Sequence, residues 1–152
     1  MSTFLRISVF ALAAAGLFAQ TTTPIVPVLE TTGVIGAAEG QVARLNVLNP
    51  GVAPPAVGMV CSAQIAFVGE DGKVIKTSMV SINPGATAAI AVDGDIELKL
   101  IAAERREIRA TIVSSCKLIG TVEIFDKFTG RTQAVLGGFH AVAVPVAAST
   151  GN

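Results

Sequence analysis

The chain has no tryptophan, no tyrosine and one histidine among its 152 residues. Sugar-binding sandwiches present flat indole or phenol rings to pyranose faces, so their absence disfavours a carbohydrate-binding module. The same lack of stacking rings argues against single-stranded nucleic acid. An excess of one charge is missing too: 11 basic and 11 acidic side chains cancel, and loss of Arg6 with an N-terminal leader leaves one extra negative charge. That balance gives no electrostatic reason to bind nucleic acid or an anionic membrane. With His140 as the lone imidazole and both cysteines oxidised, no catalytic zinc set can be assembled. No serine sits in G-x-S-x-G, and the spacing of an EF-hand loop is absent. No cofactor and no metal are expected.

What is present begins at the N-terminus. Arg6 precedes an apolar run from Ile7 to Phe18, followed by Ala19 and polar Gln20, Thr21 and Thr22. This is the pattern of a secretory signal peptide over residues 1–19, with cleavage after Ala19, or after Ala15 because Leu17 is bulky for its position. The run is shorter than the roughly 20 apolar residues that span a bilayer, and no second one follows, so no transmembrane anchor is expected in the mature chain. Export to the periplasm or the medium suits a disulfide between the two cysteines, Cys61 and Cys116. A redox pair is the rival reading, and its usual C-x-x-C spacing is missing.

Residues 20–30 carry Pro24 and Pro27 among Ile25, Val26, Val28 and Leu29, which predicts an extended arm or edge strand. Residues 31–146 read as one domain of short strands divided by turn signals, with a polar tail over 147–152. Ala43, Leu45 and Val47 alternate with Arg44 and Asn46; Cys61, Ala63, Ile65 and Phe67 share one face; Ile108, Ala110 and Ile112 alternate with Arg109 and Thr111. Turns are expected at Asn49-Pro50-Gly51, Asp71-Gly72, Pro84-Gly85, Asp93-Gly94-Asp95 and Gly130. Ile96 to Ala103 also alternates and is read as a strand in preference to a short amphipathic helix. About eight strands with this turn spacing predict an all-β, antiparallel sandwich.

The segment from Gly36 to Gly51 resembles the opening strand and turn of bacterial immunoglobulin-like repeats. Thr31 to Leu136 is similar to a group of uncharacterised secreted bacterial proteins that share the order cysteine, DG hairpin, PG turn, second cysteine and F-D…T-G-R hairpin. The resemblance implies an immunoglobulin-like β-sandwich and export, and it implies no activity. The buried tryptophan that packs on the disulfide of antibody domains is lacking, so kinship is architectural.

Three function classes follow. The leading one is a non-enzymatic structural or protein-interaction domain acting on an unidentified protein partner or on itself. Arg105, Arg106 and Arg109 are its candidate surface for an acidic partner, and Ile25, Val26 and Val28 are candidates for pairing with a sheet edge, their own or a neighbour's. Strand exchange of that kind makes a subunit of an extracellular assembly. A small-ligand or glycan-binding module is the second class, marked by an exposed aliphatic patch. The third is an enzyme using carboxylates, with Asp71, Glu123 and Asp126 as the acid and base; it ranks last because Asp71 and the Asp93-Asp95 pair already serve as turn residues.

Overall fold

The structure, a computed structural model, describes residues 27–51 and 58–142. Among the described residues, alternating apolar residues make ten strands: β1 (Val28–Thr31), β2 (Ile35–Ala38), β3 (Gln41–Leu48), β4 (Cys61–Gly69), β5 (Val74–Ile82), β6 (Thr87–Asp93), β7 (Arg105–Ser114), β8 (Ile119–Asp126), β9 (Thr132–Gly137) and β10 (His140–Val142). They form two antiparallel sheets. One runs β10-β1-β7-β4-β5, with β2 following β1 along the same side of β7, and the other runs β6-β3-β8-β9. This is the expected antiparallel sandwich.

One face of the central strands supplies the core. Ala43, Leu45 and Val47 of β3, Ile90 and Val92 of β6, and Val122 and Ile124 of β8 meet Cys61, Ala63, Ile65 and Phe67 of β4 and Ile108, Ala110 and Ile112 of β7. Each large aliphatic or aromatic side chain buried in this way contributes about 1.5–3 kcal/mol. The opposite faces carry Arg44, Asn46, Ser62 and Gln64, so the period of two sorts core from solvent.

Two differences from the expected strands have physical causes. The strand along β7 is broken between β1 and β2, because Thr31 pairs with Thr111 while Ile35 pairs with Ile108. Thr32, Gly33 and Val34 therefore oppose only Ala110 and Arg109, which is a one-residue bulge. The buried Thr32 repairs the ladder there: its N–H donates to the Ala110 carbonyl (3.0 Å), and its Oγ1 accepts the Ala110 N–H (2.9 Å). The second difference is Ile96 to Ala103, expected as a strand and found as a loop. Asp93 winds it: Oδ1 accepts the N–H of Asp95 (2.8 Å) and Ile96 (3.3 Å), and its carbonyl accepts the N–H of Glu97 (3.1 Å) and Leu98 (3.3 Å). Lys99 and Ala103 take positive φ, which a strand excludes. The loop keeps Leu98 and Leu100 in the core, so the apolar spacing was real and the element was not.

The disulfide pairs Cys61 with Cys116, Cα atoms 5.9 Å apart. It ties the start of β4 to the segment that leaves β7 for the other sheet. Among the described residues no helix is long and apolar enough to cross a membrane.

Candidate functional site

The three arginines singled out by their density are separated by the fold. Arg105 and Arg109 lie on one side of β7 by strand alternation and Arg106 on the other. Arg106 borders a depression with Glu70, Asp71 and Lys73 of the β4–β5 hairpin. Arg109 borders a shallow surface with Leu29, Thr31, Val68 and Thr111 on the outer face of its sheet. All 11 acidic residues lie among the described residues, and their ion pairs go to Arg44, Lys73, Lys76 and Lys127, none to these arginines. Of the apolar arm, Val28 is exposed in β1; Ile25 and Val26 lie outside the described residues.

Arg105 borders a cleft of about 440 Å³ on the flank where β2 of one sheet faces β9 of the other. Ile35, Ile124 and Leu136 form its apolar floor, Gly36 and Ala38 one wall, and Gln133 and Ala134 the other. Gln41 spans the lower end, its Oε1 accepting the Ala38 N–H (2.9 Å) and its amide donating to Gln133 Oε1. Arg105 lies flat on Gly36: a Cβ built there would fall 1.9 Å from Nε. Gly36 and Gln133 were not among the candidates from sequence. A glycine inside a strand run was the available sign, since it marks close approach of another group; Gln133 gave none.

Both strands at this cleft are sheet edges. Among the described residues β2 pairs only with β7, and β9 only with β8. β9, reading TQAVLG, contains no charge and no proline, and Val135 is 66% exposed. Native edges are usually blunted by charge, proline or cover.

The carboxylates proposed for chemistry do not converge. Glu123 stands on the outer face of its sheet, paired with Arg44 (3.3 Å). Asp71 caps the β4–β5 turn, accepting the Lys73 N–H (3.0 Å), and that bond lowers its pKa before any contribution from the Lys73 charge. Asp126 caps the β8–β9 turn through the N–H of Thr129 (2.7 Å) and Phe128 (3.0 Å), which hold its carboxyl below the usual range. Asp95 accepts the Gly40 N–H (2.7 Å) and pairs with Lys127, the lysine being the larger cause of its lowered pKa. For Asp71 and Asp95 these are the turn roles that their adjacent glycines suggested; the turn role of Asp126 was not anticipated. His140 is exposed on the short edge strand β10.

No family model matches the chain, and no curated protein does. Among solved structures, the crystal structure of Thermotoga maritima 1070 is similar, at 13% identity over 77% of this chain and 94% of that chain, with a TM-score of 0.48.

Proposed function

We propose that the chain is an exported, non-catalytic interaction domain that works through its sheet edges. The observation that supports this best is the flank between β2 and β9, where two unpaired edges border one cleft and an arginine there has no carboxylate partner. Added strands gain main-chain hydrogen bonds from such an edge and specificity from the pockets beside it. The leader pattern at residues 1–19 and the disulfide agree with export. The dispersal of Asp71, Glu123 and Asp126 is the reason for setting catalysis aside.

Light scattering on the mature protein, with intact mass measured without reductant, tests the reading. A product shortened by the leader and two mass units below its reduced value is expected. A monomer directs attention to a separate partner. An assembly that Val135→Lys dissociates makes β9 the self-association strand, because a charge on an exposed edge opposes pairing. Hydrolysis of a glycoside that Asp126→Asn or Glu123→Gln abolishes, with melting unchanged, would overturn the proposal.

A further inference from the structure

Building on the interaction reading, we infer that the β2–β9 cleft takes an extended peptide of another protein, added as a strand to β2, with a carboxylate side chain of that peptide held by Arg105. The backbone of β2 provides the first half of the argument. Ala38 donates its N–H to Gln41 Oε1 and so faces away from β7. Strand alternation then turns the N–H and carbonyl of Gly36 the same way, into the cleft that Gly36 lines. One residue of an added strand finds a donor and an acceptor there, which is the unit of antiparallel pairing.

Charge and shape provide the second half. The guanidinium of Arg105 lies over Gly36, beside that backbone donor and acceptor. Guanidinium recognises carboxylate in a bidentate, planar geometry, and none of the ion pairs of the chain's acidic side chains goes to Arg105. Next to it the floor of Ile35, Ile124 and Leu136 suits alternate apolar side chains of the same strand. The cleft volume is within the range of roughly 300–1,000 Å³ over which concave sites bind their ligands. Gly36 has ordinary strand dihedrals, being outside the positive-φ glycines, so its missing side chain matters for space and not for backbone conformation.

The test uses the mature, oxidised protein and two fluorescein-labelled peptides of alternating threonine and valine, one with a central glutamate and one with glutamine in its place. The glutamate peptide is expected to bind about tenfold more tightly, as one charge-assisted hydrogen bond warrants. Arg105→Gln should bring the two affinities together. Gly36→Val should weaken both by displacing Arg105 and filling the wall, with thermal unfolding confirming that each variant is folded. Amide NMR shifts on adding the glutamate peptide should centre on Gly36, Ala38 and Gln133. Absence of binding, equal affinities in the unaltered protein, or shifts centred elsewhere would each overturn the inference. Shifts centred on another sheet edge would do so while leaving the interaction domain standing, whereas that broader reading falls to the hydrolysis assay above.

Discussion

Thr32 shows how one hydroxyl can hold a sheet together. It replaces a backbone carbonyl at the bulge, so Thr32→Val removes the acceptor of the buried Ala110 N–H without changing size. The orphaned donor should cost about 1–3 kcal/mol, read as a lower urea midpoint with unchanged slope. Asn49 works similarly, donating to the carbonyls of Met59 and Ile82 (both 2.9 Å) and accepting from Gly51 N–H (3.0 Å). The asparagine was legible as a turn residue beside Pro50 and Gly51, but its hold on distant Ile82 was not, because partners far apart in sequence leave no local pattern. Titration belongs to this scale as well. Asp71, Asp95 and Asp126 are held low by hydrogen bonds. Glu97 is pushed up by burial, but its bonds from Lys76 and the Asp93 N–H outweigh this and leave it low. The stability these groups contribute is complete above the ordinary carboxylate pKa near 4 and is lost as pH falls through their folded values. Glu30 runs the other way: burial raises it, Lys117 only partly offsetting this, so its contribution declines as pH rises through the window above its ordinary value. The melting temperature should fall as the pH drops below about 4, and Asp95→Asn should narrow that fall because one low carboxylate is gone.

At the scale of elements, the apolar period identified most strands, since a half-buried strand is written in alternate residues. It failed where a loop met the same need. Leu98 and Leu100 enter the core from the turn that Asp93 winds, and burial alone does not reveal whether the backbone between two leucines is extended. Leu98→Ala should therefore be as costly as a truncation in a strand, about 2–5 kcal/mol by urea unfolding. An effect under about 0.5 kcal/mol, as at surface sites, would show that the loop is a cover and not part of the core. The cleft was legible only in part. Arg105 drew notice through the density of charge around it, but a run of arginines cannot show that neighbouring residues on a strand point to opposite sides and into separate concavities. The cleft between β2 and β9 brings together residues nearly 100 positions apart, which is beyond any local pattern.

For the whole molecule, the disulfide is the longest covalent constraint. It closes a sequence separation of 55, worth about 4 kcal/mol in the chain-entropy model. Cys61→Ser with Cys116→Ser should lower stability by that amount in chemical unfolding, and reduction of the unaltered protein should match it. The sequence suggested this staple, but its placement, from the start of β4 to the connection between β7 and β8, needed the topology. The arrangement of β1 and β10 has a mechanical meaning too. They lie antiparallel, Leu29 against Val142 and Thr31 against His140, so the segments preceding β1 and following β10 depart from the same end of the pair. Tension carried by those segments peels the rungs one after another in place of loading them together, and the outer strands yield to a small force. The ring from Cys61 to Cys116 then stays shut, withholding on the order of 190 Å of chain at roughly 3.4 Å per residue. Under load, the outer strands give way early, while the stretch closed by the disulfide cannot pay out.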